Sequence, residues 1–546
     1  MAYVLLAWSY IFITAFLTGF ALLGLLGPSL RRSTVDIVMA GLAALLVYAQ
    51  VFSLFAGVGA AANGILTTAC LLYAVRFRGQ LADFCREKWM GWNPLKLAGM
   101  AALAVAMAYG TSRGIMHVDT GLYHAQAIRW IEEYGVVPGL GNLHSRFAYN
   151  SSALSLCALY SLEWLVREPL HAVQGFFALL VAVQCVPLLS VLKGRRIAVS
   201  DFLRCGAIYY LTVLYGEMVS PATDYFAMLL VFYILISWLD LMEKGEKEAE
   251  PYALLCLLAV AAVTVKLSTA ALCLLVCRPA AMFLKNRQWK KILLYIGLGS
   301  LTALPWLIRN VLISGWLVYP FTFIDLFSVD WKMGKGLADF DSKEIQVYAR
   351  GIYDVNRYDM PFLRWAFPWF RSLKGLEKAW VAMSALTAAA GIVFLMGAVA
   401  RMGRHRADGK PENRAPGYGE WLVYGAALAA CYLAWQFSAP LVRYGYAYII
   451  ALPTVAAGFW YCRGPGCTKV GRRLFIVLLV GFLAYKTIDL AGGIAERAKE
   501  PWYIRQQPYG TFLADTYEVD GITIYVPAEG GQIGYDKFPS SPWIQE

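Results

Sequence analysis

Nearly charge-free apolar windows recur along the chain at residues 2–27, 170–192, 292–307, 380–400 and 474–490. Each is close to the roughly 20 residues that a helix needs to cross the hydrocarbon of a bilayer. No water satisfies backbone N–H and C=O groups inside lipid, so such windows predict helices rather than open strands. Short loops rich in Lys and Arg, at 31–32, 76–96, 193–196, 285–291, 401–414 and 463–473, alternate with loops at 57–63 and 220–223 that carry almost no cation. The positive-inside bias places the first set in the cytoplasm and the second outside. About 13 or 14 spans follow, with both termini outside.

Three long segments then fall on the outer side: 111–169, 314–376 and the tail 493–546. Parity makes the apolar stretch 151–166 a juxtamembrane helix within the first of them. Residues 251–284 are too many for one span and too few for two, which predicts two short helices meeting inside the bilayer near Lys266. At 516–527 apolar and polar residues alternate around Asp520-Gly521, the signature of a β-hairpin. The first window is too long for the apolar core of a signal peptide and has no basic residues ahead of it, so it is read as a true span. The fold class expected is an all-α polytopic membrane protein with three parts. These are N-terminal transmembrane helices at 1–95, a transmembrane core at 96–492, and an extracytoplasmic tail at 493–546 bearing a small β-appendage.

Composition agrees with lipid as the solvent. Of 546 residues, 59% are hydrophobic and 15% charged, against about a quarter charged in a soluble domain. The net charge of +12 is spread over short loops rather than one stripe, which argues against nucleic acid as a partner. The eleven cysteines lie in apolar runs or basic loops and read as reduced thiols. Cys462 and Cys467 have no second pair and no histidine to complete a zinc site.

Candidate chemistry concentrates in the first outer segment, where His117, Asp119, His124, Arg129, Glu132, Glu133, His144 and Arg146 follow a span directly. Residues 120–134 are amphipathic, with Tyr123, Ala127, Trp130, Ile131 and Tyr134 on one stripe and Gln126, Arg129 and Glu133 opposite. Asp119 at the start of this helix suits an N-cap. A carboxylate at the membrane surface also suits a proton acceptor, and the two roles are compatible. Lys266 is a charge set among apolar neighbours, which points to a cavity. Arg309 and Arg443 sit at span ends, where snorkelling and anion binding compete as explanations. Asp224 and Glu217 flank the turn at 219–223, where lining the same cavity and ending their helices compete as explanations, the second being the plainer. Asn150 begins a glycosylation sequon and is read as the start of the juxtamembrane helix.

The stretches Asp119-Thr-Gly-Leu-Tyr-His124, 130–135 and 138–144 resemble the first extracytoplasmic loop of GT-C superfamily integral-membrane glycosyltransferases. Pro305-Trp306-Leu-Ile-Arg309-Asn310, followed by 314–315 and 319–321, is similar to a stretch in bacterial members of that superfamily. Pro440-Leu-Val-Arg443-Tyr444, with Pro453 beyond, resembles their Arg-Tyr entry to a late helix. The resemblance implies a GT-C-like helix bundle with extracytoplasmic juxtamembrane helices in the inner or plasma membrane. It makes Asp119 the catalytic base, and it implies a polyprenyl-phosphate sugar donor with a glycan, lipid or protein acceptor among membrane lipids. Lys266, Arg309 and Arg443 become the cations that offset charge on the leaving phosphate, with His117, His124, Arg146 and Tyr444 as further substrate contacts. Some members use a divalent cation, and His117 and His124 bracket Asp119 in a way that suits Mg or Mn; interfacial histidines bonding backbone or headgroups are the plainer reading. Two other classes compete: a polysaccharide polymerase or O-antigen-type ligase, and a lipid or solute transporter or flippase. A transporter predicts inverted repeats and matching broken helices, and the chain has no internal repeat and one candidate break.

Overall fold

A computed structural model describes residues 1–91, 93–407, 418–465, 468–519 and 521–542. Five helices open the chain: α1 (Ala2–Leu26), α2 (Thr34–Ser53), α3 (Ala60–Arg76), α4 (Arg78–Trp89) and α5 (Pro94–Ser112). The first long connection holds α6 (Ala125–Tyr134), α7 (Leu140–Leu143), α8 (Ser152–Leu159) and α9 (Glu163–Val166). Next come α10 (Val173–Cys185), α11 (Val199–Leu214), α12 (Thr223–Glu243), α13 (Glu250–Val265), α14 (Cys277–Lys285) and α15 (Trp289–Ser314). The second long connection holds α16 (Lys335–Ala349) and α17 (Phe362–Ser372). Four helices, α18 (Gly375–Ala407), α19 (Tyr418–Ser438), α20 (Val442–Arg463) and α21 (Lys469–Glu496), precede a hairpin of β1 (Ala514–Val519) and β2 (Ile522–Pro527).

Among the described residues, ten helices are long and apolar enough to cross a membrane, and the pair α3 and α4, bent by 81°, brings the number to eleven at most. The chain is therefore a multi-pass helical membrane protein. The expected 13 or 14 spans are reached only by adding α11 and α13, of 16 residues each, and the aromatic-rich α19, all packed in the same bundle. Polar caps start helices at one end: Ser33 accepts from the Asp36 amide, Asn93 from Lys96 and Thr468 from Gly471. These are the basic loops of the sequence, where water reaches orphan N–H groups that lipid would leave unpaired.

Ion pairs sort the loops into two ends. Arg32 meets Glu246 at 2.5 Å and Lys291 pairs with Glu250, so the charge-mixed loop after α12 lies with the basic loops. At the opposite end the Met1 ammonium donates to the carbonyls of Trp502 at 2.9 Å and Arg505 at 2.8 Å. Arg113 donates to the Glu500 carbonyl there, and the Gln507 amide to that of Ser112. Both termini and the first long connection thus share one end, as an even number of crossings requires.

Helix α12 is the axis of the bundle, buried on every side from Asp224 to Ile236, as an all-round apolar helix demands. Helices α1 and α2 touch backbone to backbone: a β-carbon at Gly41 would lie 1.8 Å from the Ala15 carbonyl oxygen, and one at Gly19 would lie 1.9 Å from that of Ile37. In lipid, packing of this closeness substitutes for the missing hydrophobic drive between helices.

Two expectations change. The juxtamembrane helix at 151–166 is broken after Leu159, with Leu162 and Arg167 in the left-handed region (φ 53° and 61°). Its first part, α8, is buried at every residue between α2, α6 and α13 rather than lying on a surface. The break at Lys266 is present, but residues Leu267–Lys285 are long enough to span alone, so only α13 is short. The hairpin forms with Val519 opposite Ile522 and Gly521 at φ 78°; Asp520 lies outside the described residues, as do Cys467 and part of the basic loop at 401–414.

Gly41→Ala should lower the unfolding temperature of the detergent-solubilised protein by several degrees, since a backbone atom blocks the new methyl at a cost on the order of 1–3 kcal/mol. Gly64→Ala on exposed α3, where a β-carbon meets nothing within 4 Å, should leave it unchanged or raise it. Equal stability of the two variants would contradict the close α1–α2 contact.

Candidate functional site

Three helix starts converge at the end that carries the termini. Asp119 begins the π-helical turn Thr120–His124 that runs into α6, Asp224 lies in the first turn of α12, and Arg443 is the second residue of α20. Pro440 precedes α20 and favours an extended entry. Arg443 Nη2 lies 3.0 Å from Asp119 Oδ2, and its Nε lies 3.0 Å from Asp224 Oδ2. The first contact is an aligned hydrogen bond, the second an ion pair without that alignment. Asp224 Oδ1 receives Lys266 Nζ, which also sits 3.7 Å from the centre of the Tyr444 ring. Lys266 is extended (φ −153°, ψ 121°) where α13 stops. The carbonyl left over at Val265 is taken by the Ser151 hydroxyl at 2.8 Å. The result is an alternating chain, Asp119–Arg443–Asp224–Lys266, whose formal charges cancel.

An arginine at a helix N-terminus is opposed by the helix dipole, whereas carboxylates are favoured there. Asp119 and Asp224 therefore offset both the dipole and the burial that Arg443 suffers. The side chain of Asp119 makes no capping bond to its own turn, because the carboxylate points to Arg443 instead. The capping role expected from sequence is replaced by an ion pair.

Arg443 Nη1 also meets His117 Nε2. A guanidinium can only donate, so Nε2 must accept and the ring proton belongs on Nδ1, 3.6 Å from Asp119 Oδ2, at the expense of a 3.1 Å contact from the Asp119 amide. Burial lowers the pKa of His117, which keeps the ring neutral as this arrangement needs. For Asp119, burial pushes the carboxyl upward, but His124, Arg443, His117 and Arg146 outweigh it and hold the group below its ordinary range. Burial depresses His124 to about 3, so at neutral pH the cations that matter are Arg443 and Arg146.

The remaining sequence candidates separate from this cluster. Arg309 is buried in α15, where it donates to Asn150 Oδ1 at 3.1 Å and to the Ser53 hydroxyl, and among the described residues it forms no ion pair. Arg146 is a clamp between the two long connections, paired with Glu344 at 2.9 Å and Asp341 at 3.6 Å. Asp341 also accepts from Tyr149, from Tyr319 at 3.1 Å and from Ser145 at 3.3 Å. His124 is buried, and neither ring nitrogen has a hydrogen-bond partner among the described residues. No three histidine, cysteine or carboxylate side chains among the described residues are placed together to hold a metal ion.

Sequence reasoning favoured Asp224 as ending its helix over lining a cavity with Lys266, although an acid and Lys266 in two neighbouring apolar helices were the available signal. It missed the tail. Gln126, expected on a solvated stripe, is fully buried and donates to the Lys537 carbonyl at 2.7 Å. Arg129 donates to the carbonyls of Tyr535 and Asp536 at 2.8 Å each. The amides of Ile533 and Gly534 donate to the Gly121 carbonyl at 2.9 and 3.0 Å, fixing the turn that begins at Asp119. Tyr535 donates to half-buried Glu132 at 2.5 Å, whose carboxyl desolvation pushes well up.

A cavity of about 460 Å³ adjoins the cluster, walled by His117 and Arg443, by Tyr210, Glu217 and Tyr225 around the α11–α12 turn, and by Tyr446. The second connection roofs it with Tyr348, Tyr353 and Trp369, and Glu377 of α18 faces it.

Acid should destabilise this protein from pH 6.5 downward. Burial lowers His124 and His144 to about 3 and His171 to about 4, all from 6.5. As pH falls through 6.5 the unfolded chain takes up protons that the folded one refuses, so stability drops by up to about 1.4 kcal/mol per pH unit for each histidine. Glu132 acts oppositely, because above 4.5 it keeps a proton that the unfolded chain releases. Three histidines outweigh one carboxyl, and the unfolding temperature should fall between pH 7.5 and 5.5, with a shallower slope in His171→Gln. A profile that is flat or rises toward acid would contradict these assignments.

No curated protein and no solved structure matches the chain. A family model described as Domain of unknown function (DUF8201) matches residues 1–450, which take in all four charges of the cluster and leave the tail outside, and the chain belongs to that family.

Proposed function

We propose that this protein transfers a sugar from a polyprenyl-phosphate donor to an acceptor hydroxyl at the extracytoplasmic face of the cell membrane. The observation that carries the reading is the chain Asp119–Arg443–Asp224–Lys266 at three converging helix N-termini beside a cavity. Two cations and three positive dipole ends suit the anionic phosphate of a lipid donor at headgroup depth. The extracytoplasmic assignment rests on the basic loops at the other end of the bundle.

At rest the carboxylates hold Arg443 and Lys266. An entering phosphate competes for both cations, Arg443 offering a bidentate fork and Lys266 a point charge. Asp119, relieved of Arg443, becomes a stronger base, so donor binding activates the group that needs to accept a proton. The acceptor oxygen bonds to the anomeric carbon as the bond from that carbon to the phosphate oxygen breaks. The hydroxyl proton passes to Asp119, and polyprenyl phosphate leaves with the bonding pair, stabilised by Arg443 and Lys266. A single displacement inverts the configuration.

The helix break at Lys266 inside a charge-balanced cluster also suits a transporter, in which such sites carry substrate or protons. Proteoliposomes separate the two readings, since a transporter moves solute without releasing polyprenyl phosphate.

With a radiolabelled polyprenyl-phosphate sugar in proteoliposomes, wild type should release lipid phosphate. Asp119→Asn, which still accepts from Arg443 but no longer offsets its charge, should lose at least about a hundredfold in rate while remaining folded. Arg443→Lys should raise the donor KM about tenfold through loss of the fork. Undiminished transfer by Asp119→Asn would remove it as the base.

A further inference from the structure

The cavity beside Arg443 differs in chemistry from the cluster it adjoins. Its two carboxylates are each held by a tyrosine: Tyr225 donates to Glu217 Oε2, and Tyr446 donates to Glu377 Oε1 at 2.7 Å. No described residue donates to the other oxygen of either carboxylate, so two hydrogen-bond acceptors are fixed in place and unused. Tyr210 is 1% exposed, and its hydroxyl has no partner among the described residues. Leaving such a group unpaired costs about 1–3 kcal/mol, a cost that a ligand hydroxyl in the cavity removes. The Tyr210 and Tyr446 rings lie 5.4 Å apart, and Tyr348 and Tyr353 add exposed ring faces from the roof.

Charge decides the class of ligand. Glu217 and Glu377 are matched by one cation in the wall, Arg443, whose charge is already shared between Asp119 and Asp224. The cavity is therefore acidic on balance and rejects anions. Fixed acceptors, an unpaired phenol and aromatic faces together fit a ring that carries hydroxyls on its edge and C–H groups on its face. The volume of about 460 Å³ lies within the range of ligand pockets.

We infer that this cavity is the acceptor pocket and that it holds an uncharged, hydroxyl-rich glycan ring, bonded by Glu217, Glu377 and Tyr210 and stacked on Tyr353. Its role as acceptor pocket rests on the transferase reading; its glycan chemistry rests on the wall alone. The ring projects a hydroxyl toward His117 and Arg443, the residues that join the cavity to Asp119.

Saturation-transfer NMR on the full chain in nanodiscs tests this with maltose, cellobiose, lactose and diacetylchitobiose as neutral probes, chitobiose as an amine and digalacturonate as an acid. At least one neutral disaccharide should bind, and digalacturonate should not. Tyr210→Phe should weaken binding about fivefold without lowering the unfolding temperature, because the hydroxyl it removes has no partner in the protein. Glu377→Gln should weaken it about tenfold. Absence of neutral binding, binding confined to the charged disaccharides, or affinities unmoved by both variants would overturn the assignment. Binding without any transfer would fell the transferase reading and leave the glycan site; transfer to a non-glycan acceptor without disaccharide binding would do the reverse.

Discussion

Arg443 enters the protein at the positive end of a helix, three-quarters out of water, where neither solvent nor the dipole favours a guanidinium. Two carboxylates from other helix starts, Asp119 and Asp224, make that position tenable. Removing either partner leaves a poorly solvated cation, a loss of about 3–5 kcal/mol for a fully buried pair and less here, where some water reaches the group. The geometry of the site follows from this constraint: α20 must meet both the turn after α5 and the start of α12, and α13 must break so that Lys266 can supply the second cation.

The supports around the cluster are built from chain segments distant in sequence. The tail reaches back to hold the Asp119 turn through Gly121 and Gln126, and Glu132 and Tyr535 tie the far end of α6 to it. Asp341 gathers Arg146, Tyr149 and Tyr319, locking the second connection over the first. A base on a surface loop would wander. Here the loop is pinned from two sides, which is the preorganisation that the proposed proton transfer and phosphate binding require.

How much of this was legible in the sequence varies with the range of the interaction. Apolar windows announced the helices because the requirement for internal hydrogen bonding is local, and the hairpin was visible for the same reason. The break at Lys266 could be read from length alone. Asp119, Lys266 and Arg443 stood out as charges at membrane depth or at span ends. Asp224 stood out less, because an acid in the first turn of a helix is explained by the dipole without any partner. Arg309 looked equivalent to Arg443 yet faces Ser53 and Asn150, since side-chain direction on a helix depends on which neighbour packs there. Gln126 read as solvated because the tail that covers it lies some four hundred residues away.

The most direct measurement of the central claim is an experimental structure of the full chain with polyprenyl phosphate bound. Phosphate oxygens should lie within hydrogen-bonding distance of both Arg443 and Lys266, with Asp119 turned away from Arg443 and toward the cavity. A phosphate seated elsewhere, on Arg309 or among the basic loops, with the Asp119–Arg443 pair intact, would contradict it.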